Sequence, residues 1–378
     1  MIKPSQLKVD HEMMHRAIEL ARRGIMTTRP NPAVGCVIAK DNKIIGEGWH
    51  QRAGEPHAEV HALKQAGADA KGATAYVTLE PCSHMGRTPP CANALIEAGI
   101  ARVVVAMHDP NPRVSGNGIK RLHEADIDVL VGVLEKSAEQ LNPGFLSRMR
   151  ENRPFITVKM ASSLDGKTAL SDGRSQWITG PHARADVQYW RAQSDSILTG
   201  ADTILKDDPM LTVRQNQWPA TRPLPEPLKQ PIRIVIDSQN RVTDDAKIFE
   251  SPVPVWLIRS KSGQPSKHSH CHEVIVKTAA TGKIDLSALM SELAKREVNQ
   301  IWTECGASLA AALIQAGYCD RLIMYSSGQL LGNAARSLFD IDEPNTLDKA
   351  IRFKITDRRQ VGDDQRVIAV PQLMTGKG

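Results

Sequence analysis

The hydrophobic residues of the first 146 positions alternate between helical and strand-like spacing along the chain. His11 to Arg23 carries its apolar residues on one helical face, and Gly24 marks the end of that helix. Apolar runs at Val34–Ile38 and Ile44–Gly48 flank a polar turn, which predicts a β-hairpin. The same pattern predicts helices at His57–Gln65 and Cys91–Ala98, and strands at Ala73–Leu79, Arg102–Met107 and Ile127–Leu134. This alternation predicts an α/β domain with a mostly parallel sheet and helices on both faces.

A basic and polar segment, Ser147–Arg153, interrupts this rhythm and predicts a connection between two domains. We therefore divide the chain into a domain over residues 1–146, a linker over 147–153 and a second domain over 154–378. The segment Trp218–Pro231 contains five prolines and must be a loop. Strands are predicted at Pro154–Met160, Ser196–Thr199, Ile232–Ile236, Val255–Ile258, Glu273–Val276, Ile301–Thr303 and Arg321–Tyr325. The second domain is therefore predicted to be α/β as well.

Charge and composition narrow the class of ligand. The 378 residues carry a net charge of +6 and give a pI near 9.0, so an anionic partner is expected. Aromatic residues make up only 4% of the chain, which is poor for stacking on nucleic-acid bases, and the basic residues are dispersed. These features favour a small phosphorylated substrate and no nucleic acid.

Cysteine usage and the N-terminus indicate the compartment. Six cysteines are too sparse for a disulfide framework in a chain of this length, so reduced thiols are expected. The N-terminus has no apolar signal region, and no apolar run approaches the roughly 18 residues of a membrane span. We expect a cytoplasmic protein with no membrane partner, acting as a homo-oligomer.

One stretch carries the elements of a catalytic zinc site. His57, Cys82 and Cys91 offer one imidazole and two thiols, and a catalytic zinc needs three protein ligands so that its fourth position stays open for water. Glu59 follows His57 by two residues and can carry protons without binding metal. His-x-Glu followed by Pro-Cys and a second Cys is the signature of zinc deaminases that act on heterocyclic bases. That signature has two residues between the cysteines, whereas this chain has eight.

Two alternatives remain open around this site. His61 lies one helical turn after His57, so His57, His61, Cys82 and Cys91 together also fit a closed, purely structural site. Pro81 before Cys82 and the presence of Glu59 favour the open, catalytic site. The insert between the cysteines adds His84 and Arg87, either as substrate contacts or as part of a solvated loop.

The second domain offers a cleft that suits anions. Lys159 projects to the opposite side of its strand from Ile156, Val158 and Met160, either toward solvent or into a cleft. The run Ile301–Leu309 goes from strand through a turn of small residues into a helix, whose N-terminal N–H groups can approach a phosphate. It is not a Gly-x-Gly-x-x-Gly fingerprint, so an ordinary dinucleotide-binding Rossmann domain is not indicated.

Several motifs resemble the bifunctional deaminase–reductases of riboflavin biosynthesis. They are Pro30–Val37, Gly48–His50, His57–Glu59 and Pro81–Cys91, and the eight-residue spacing between the cysteines is typical of that family. The resemblance implies an N-terminal cytidine-deaminase-like three-layer α/β/α domain with one Zn²⁺ per chain. It also implies hydrolytic removal of the 2-amino group from 2,5-diamino-6-ribosylamino-4(3H)-pyrimidinone 5′-phosphate. Its substrate pocket would then be lined by Asn31, His50, His84 and Arg87.

The second half resembles the reductase domain of the same family, which is similar in fold to dihydrofolate reductase. The resemblance implies an NADPH-dependent reduction of the ribosyl group to ribityl. NADP-binding positions would be Ala161, Trp177, Thr203, Asp207, Ser238, Gly306, Ala307, Ser308, Leu309, Ala310, Ala311 and Ala312. Substrate positions would be Ser175, Arg191, Leu211, Arg214 and Glu304, with the two arginines holding the phosphate.

Two details of the reductase half depart from or go beyond that resemblance. Cys305 stands where the family often has glycine, which places a side chain near the cofactor. Reduction needs a hydride donor held against the sugar C1′ and a group that protonates the ring oxygen as it opens. Lys159 and Asp207 are the candidates for that proton transfer, and the sequence does not choose between them.

Two other functions share parts of this sequence pattern. A deaminase acting on RNA bases would favour a short cysteine spacing and aromatic stacking surfaces, and would leave the second domain unexplained. A non-catalytic module would be built on the closed zinc site with His61 as the fourth ligand.

Overall fold

The structure, a computed structural model, describes residues 4–83, 90–112 and 114–372. The chain separates into two compact units, Met1–Asn152 and Arg153–Gly378. The predicted linker is mostly helix, because residues 147–151 form the second half of a helix that spans Pro143–Glu151. That helix belongs to the first unit, where Phe145 and Leu146 are buried in the core.

The described part of the first unit contains a five-stranded sheet between two layers of helices. Its strands are β1 (Gly35–Lys40), β2 (Lys43–Trp49), β3 (Thr74–Val77), β4 (Arg102–Val105) and β5 (Asp128–Val131), in the spatial order β2-β1-β3-β4-β5. Its helices are α1 (Pro4–Arg22), α2 (Ala58–Ala66), α3 (Cys91–Glu97), α4 (Asn117–Glu124), α5 (Glu135–Glu139) and α6 (Pro143–Glu151). Residues of α1, α5 and α6 pack on one face of the sheet, and residues of α2, α3 and α4 pack on the other.

The prediction of a mostly parallel sheet is confirmed for this unit, because β2, β3, β4 and β5 run in the same direction and β1 runs opposite to them. β3, β4 and β5 are parallel, but β1 pairs antiparallel with both β2 and β3. The cause is local, since a two-residue turn can join β1 to β2 only in the antiparallel sense.

Glycine in the first hairpin sets how closely a helix approaches the sheet. A Cβ on Gly48 of β2 would lie 2.2 Å from the carbonyl oxygen of Ala58, the first residue of α2. No other residue permits this approach without displacing the helix. The packing matters because His57 and Glu59 flank Ala58.

The described part of the second unit is built on a nine-stranded sheet in the order β11-β10-β9-β8-β12-β6-β13-β16-β15. The strands are β6 (Phe155–Ser162), β8 (Ser196–Gly200), β9 (Ile232–Ile236), β10 (Val255–Arg259), β11 (Cys271–Ile275), β12 (Gln300–Glu304), β13 (Arg321–Ser326), β15 (Phe353–Val361) and β16 (Asp364–Pro371), and a small separate pair is formed by β7 (Lys167–Ala169) and β14 (Arg336–Ser337). The seven strands from β11 to β13 are parallel, and β16 runs antiparallel to both of its neighbours.

Helices cover both faces of this sheet. α7 (Pro181–Gln193) and α8 (Ala201–Asp207) pack on one face, and α9 (Leu286–Lys295) and α10 (Ala307–Gln315) pack on the other. Every strand predicted in this half overlaps an observed strand, and the proline-rich segment 218–231 contains neither helix nor strand. Within the described ranges, no helix combines the length and the apolar character needed to cross a bilayer.

Candidate active sites

The structure brings the three predicted zinc ligands together in the first unit. His57 immediately precedes α2, Cys82 lies in the segment after β3, and Cys91 is the first residue of α3. The Nδ1 atom of His57 is 3.2 Å from Sγ of Cys91 and 3.7 Å from Sγ of Cys82. All three ligand atoms lie within 4.8 Å of one another. This compact set of one nitrogen and two sulfurs fits zinc.

The sulfur of Cys82 is arranged to carry negative charge, which metal-binding thiols require. The Cys91 side chain donates to Cys82, which lowers the pKa of Cys82, and Cys91 retains its proton with a raised pKa. The backbone N–H of Cys91 also donates to Sγ of Cys82 over 3.3 Å.

His61 lies outside this group, so the closed four-ligand site is wrong. Its Nε2 atom is buried and has no hydrogen-bond partner among the described residues. Although His61 follows His57 by four residues, His57 precedes the first residue of α2, so the two imidazoles are not held on one helical face.

Glu59 is buried in the first turn of α2, beside the ligand group. Burial raises the pKa of its carboxyl group above the ordinary value, against the opposing effect of His57. The Oε2 atom has no hydrogen-bond partner in the described structure. A buried carboxyl group with a raised pKa and an oxygen without a hydrogen-bond partner is suited to taking up and returning a proton.

Two predicted substrate residues lie beside the ligand group. The His50 ring meets the His57 ring edge-on, with 5.2 Å between their centroids. Nδ1 of His50 is 3.2 Å from the carbonyl oxygen of Pro56, and Asn31 Nδ2 is 3.3 Å from Nε2. Burial lowers the pKa of His50, so the ring is neutral and accepts a hydrogen bond from Asn31. The other two predicted substrate residues of this half, His84 and Arg87, lie outside the described residues.

In the second unit, the predicted reductase residues gather where parallel strands end. β6, β8, β9 and β12 are parallel, so their carboxyl ends share one edge of the sheet, where ligands of open α/β sheets bind. Ala161 lies near the end of β6, Thr203 and Asp207 lie on α8 after β8, and Ser238 follows β9. The stretch from Gly306 to Ala312 follows β12 and forms the first part of α10.

Arg191 and Glu304 form a buried ion pair at this edge. Nε and Nη2 of Arg191 donate to the two carboxylate oxygens of Glu304 over 2.5 and 2.7 Å, and Nη1 donates to the carbonyl oxygen of Thr212. Trp302 Nε1 donates to Oε1 of Glu304 over 2.8 Å. Burial opposes ionisation of Glu304, but Arg191 outweighs it and lowers the pKa to about 2.

Lys159 belongs to this charged group, and Asp207 does not. Lys159 of β6 stands opposite Glu304 of β12 in the strand register. Burial lowers the pKa of Lys159, while the charge of Glu304 opposes that shift. Burial also raises the pKa of Asp207, whose charged neighbour is Lys206.

Cys305 follows Glu304 at the same edge and is half-buried. Its pKa is raised to about 12 by burial, so its thiol is uncharged at neutral pH. The other predicted positions lie in loops: Leu211 is buried with a φ of 52°, and Ser175 is half-buried.

Arg184 lies near the predicted substrate and cofactor residues, although the sequence did not single it out. Its guanidinium lies over the exposed ring of Trp177, with 4.6 Å between Cζ and the ring centroid. The pKa of Arg214 is lowered mainly by burial. The charges of Arg191 and, to a smaller extent, Arg184 lower it further. Arg184 and Arg191 are seven residues apart on α7, about two helical turns, which was the available signal that both share one face.

These features define a class of protein: a zinc-dependent hydrolytic deaminase domain joined to an α/β reductase domain. Comparisons with known families agree with both halves. Residues 7–107 match the cytidine and deoxycytidylate deaminase zinc-binding region, and residues 154–366 match the RibD C-terminal domain.

Full-length relatives connect the two halves. The chain is 54% identical over 359 residues to the riboflavin biosynthesis protein RibD of Escherichia coli K12, covering 94% of this chain and 97% of that protein. It is 46% identical to RibD of Haemophilus influenzae, covering 96% and 98% of the two chains. The chain therefore belongs to the RibD family, the bifunctional enzymes of riboflavin biosynthesis that join a zinc-dependent deaminase to an NADPH-dependent reductase.

Solved structures agree over the whole chain. Acinetobacter baumannii RibD superposes with a TM-score of 0.89 at 44% identity, covering 97% of this chain and 99% of that one. A Thermotoga maritima diaminohydroxyphosphoribosylaminopyrimidine deaminase/5-amino-6-(5-phosphoribosylamino)uracil reductase superposes with a TM-score of 0.85 at 31% identity, covering 97% and 100%. The predicted family, fold class, enzyme class and cofactors are confirmed. Neither rival function accounts for a match that spans both domains.

Proposed function

We propose that the first domain removes the 2-amino group of 2,5-diamino-6-ribosylamino-4(3H)-pyrimidinone 5′-phosphate by hydrolysis. The observation that carries this is the clustering of His57, Cys82 and Cys91 beside buried Glu59, whose Oε2 atom has no partner in the described structure. His57, Cys82 and Cys91 would hold the zinc, which would lower the pKa of a bound water to about 7. Glu59 accepts a proton from the nucleophilic water and returns it to the departing amine, so ammonia leaves as the ring carbon gains a carbonyl oxygen.

Asn31 and His50 orient the pyrimidinone in this proposal, together with His84 and Arg87. The neutral His50 ring, held by Pro56 and Asn31, offers a fixed polar wall beside His57. Fixing the ring relative to Glu59 matters because proton transfer requires hydrogen-bond distance.

Replacing Glu59 by Gln tests the deaminase assignment. We expect the Glu59→Gln protein to retain zinc and to lose deamination by about 10²–10⁴-fold, because the glutamine amide cannot accept the proton. Glu47→Gln is the matched control, since Glu47 is ion-paired with Arg16 in the same unit and has no proposed role. Products are identified by mass with and without NADPH. Unchanged deamination in Glu59→Gln would remove Glu59 from the mechanism.

We further propose that the second domain reduces the ribosyl side chain to ribityl. The NADP positions would hold NADPH, which would supply a hydride to C1′ while the bond from C1′ to the ring oxygen breaks. Lys159 delivers the proton to that oxygen, because its lowered pKa makes it a better acid and it lies among Glu304 and Arg191. Asp207 is assigned to the NADP positions with Ala161, Trp177, Thr203, Ser238 and the stretch from Gly306 to Ala312.

A pair of variants separates these roles. We expect Lys159→Met to lower kcat for reduction by about 10²-fold or more with deamination unchanged. Asp207→Asn should raise the KM for NADPH with a smaller effect on kcat. If Asp207→Asn lowered kcat and Lys159→Met raised the KM for NADPH, then Asp207 would be the proton donor and Lys159 the NADP-binding residue.

The proposal also covers the compartment, the oligomeric state and the class of ligand. We infer a cytoplasmic homo-oligomer that binds a small phosphorylated pyrimidine and no nucleic acid. None of the six cysteines, all of which lie among the described residues, forms a disulfide, which supports a reducing compartment. Light scattering of the purified chain tests the oligomeric state.

A further inference from the structure

The segment that carries Cys82 is irregular. It runs from Glu80 to Ser83, beyond the end of β3 at Val77, and we call it the Cys82 segment. Irregular backbone has no ladder of internal hydrogen bonds, so it holds a ligand in place only where neighbouring groups satisfy and fix it. α4, which carries none of the predicted ligands, supplies part of this support; in addition, the N–H of Glu80 donates to the carbonyl oxygen of Met107, and the N–H of Ala92 donates to that of Cys82.

The carboxylate of Glu80 makes most of the hydrogen bonds that connect the Cys82 segment to α4 and the residues before it. Its side chain is fully buried, and it accepts four backbone N–H bonds, two from residues before α4 and two from the first turn of α4. Oε1 accepts from Gly118 and Ile119 over 3.0 and 3.3 Å, and Oε2 accepts from Gly116 and Asp109 over 3.1 and 3.2 Å. An anion is stabilised at this end of a helix, because the first N–H groups have no partner within the helix.

Two further contacts join the same elements. A Cβ on Gly118 would lie 1.9 Å from the carbonyl oxygen of Pro81, so α4 lies directly against the Cys82 segment. Nη1 of Arg121 donates to the carbonyl oxygen of Ser83 over 3.2 Å and to Oδ1 of Asn93 over 2.9 Å. Asn93 belongs to α3, the helix that begins at Cys91. α4 therefore ties the segment of one cysteine to the helix of the other.

We propose that Glu80 is a positioning residue for zinc, which fixes Cys82 at the distance from Cys91 and His57 that the metal requires. This inference rests on the proposed role of Cys82 as a ligand. Glu80 does not touch the metal or the substrate. It acts by setting the backbone from which the Cys82 sulfur projects, as residues behind metal ligands commonly do.

Glu80→Gln tests the proposal because it preserves size but not acceptor capacity. Glutamine offers one acceptor oxygen in place of two and turns an NH₂ group toward backbone donors. We expect zinc affinity, measured by competition with a fluorescent chelator, to fall by about 10–100-fold. The spectrum of the Co²⁺-substituted protein should change in its thiolate charge-transfer and d–d bands. Reductase activity of the same full-length chain should stay unchanged, which controls for the amount of folded enzyme.

Asp10→Asn is the matched control for a purely structural effect. Asp10 is a fully buried carboxylate of the same unit, with hydrogen bonds from Arg102, Tyr76 and Gln6. We expect this substitution to lower thermal stability and to leave zinc affinity and the Co²⁺ spectrum unaltered. Equal losses of affinity in the Asp10 and Glu80 variants would overturn the proposal, because they would show general destabilisation.

Arg121→Ala keeps the test informative if Glu80→Gln does not fold. Arg121 makes its bond to Ser83 at the surface, so removing it leaves the core intact. We expect a smaller loss of zinc affinity, about threefold to tenfold, in the same direction. Unchanged zinc affinity and an unchanged Co²⁺ spectrum in every variant that folds would overturn the inference.

Cys82→Ser separates this inference from the proposed function. If Cys82→Ser retains full zinc affinity, the ligand assignment itself is wrong. If Cys82→Ser loses zinc whereas Glu80→Gln binds it normally, the ligand assignment stands and the positioning role of Glu80 is refuted.

Discussion

Replacing Glu304 by Gln in the second unit should cause a large and pH-dependent loss of stability. The side chain is 16% exposed and is paired on both oxygens with Arg191. Its pKa is lowered from 4.5 to about 2, a shift that corresponds to about 3 kcal/mol of stability at neutral pH. Glutamine keeps the shape of the side chain but leaves the charge of Arg191 uncompensated. We therefore expect the free energy of unfolding at pH 7 to fall by about 3 kcal/mol.

The sign of the pH dependence follows from the direction of the shift. Because the pKa is lower in the folded state, Glu304 stabilises the fold fully above about pH 4.5 and loses that effect as the pH falls toward about 2. The difference in stability between the wild-type and Glu304→Gln proteins should therefore shrink over this range.

Urea unfolding followed by tryptophan fluorescence measures this difference. Five of the six tryptophans lie beyond residue 153, so the signal reports mainly on the second unit. Glu292→Gln is the control, because Glu292 pairs with Arg296 over 2.9 Å but both side chains are substantially exposed. We expect that variant to stay within about 0.5 kcal/mol of the wild type. An equally small effect of Glu304→Gln at pH 7, or a difference that does not shrink at low pH, would refute the reasoning.

Other predictions concern the metal, the thiols and the helix packing. Stripping zinc with a chelator should abolish deamination and leave NADPH-dependent reduction of the deaminated substrate intact, as product masses will show. Cys305 and Cys319, whose pKa values burial raises to about 12, should alkylate at pH 8 about 100-fold more slowly in the folded chain than in urea, measured by mass spectrometry. Gly48→Ala should destabilise the first unit by about 1–3 kcal/mol and weaken zinc binding, because a Cβ 2.2 Å from Ala58 displaces the helix beside His57; thermal unfolding and chelator competition test both effects.

The zinc group was predictable because its chemistry is local. His57 and Glu59 are two residues apart, and the Pro81–Cys82 pair marks the second ligand, so the motif reveals the donor set without any knowledge of the fold. The same local reasoning admitted His61 as a fourth ligand. Only the position of His57 just before α2 removes His61 from the group.

Strand positions were predictable where strands are buried, and so was the β1–β2 hairpin, but the order of the strands across each sheet was not. Ile232–Ile236 has the predicted bounds because four of its five residues are isoleucine or valine and its three central residues are buried, on a strand inside the sheet. β15 was missed because it is an edge strand, with most of its residues exposed and polar. The helical end of the first unit was mistaken for a linker, because the basic residues of α6 concealed its packing through Phe145 and Leu146.

Ionic contacts between residues far apart in the chain could not be predicted from the sequence. The contacts of Arg191 change the function that is expected of it. The family resemblance implies that Arg191 and Arg214 hold the substrate phosphate and that Glu304 is a substrate position. In the fold, all three guanidinium nitrogens of Arg191 donate to Glu304 or Thr212. A phosphate at Arg191 would have to approach the carboxylate of Glu304, and like charges in a buried site repel strongly. We therefore expect Arg191 to orient Glu304, and the phosphate to be held by Arg214 together with Arg184. The Arg184→Ala protein should then show a raised KM for the phosphorylated substrate in the reductase reaction. An unchanged KM would indicate that Arg191 holds the phosphate.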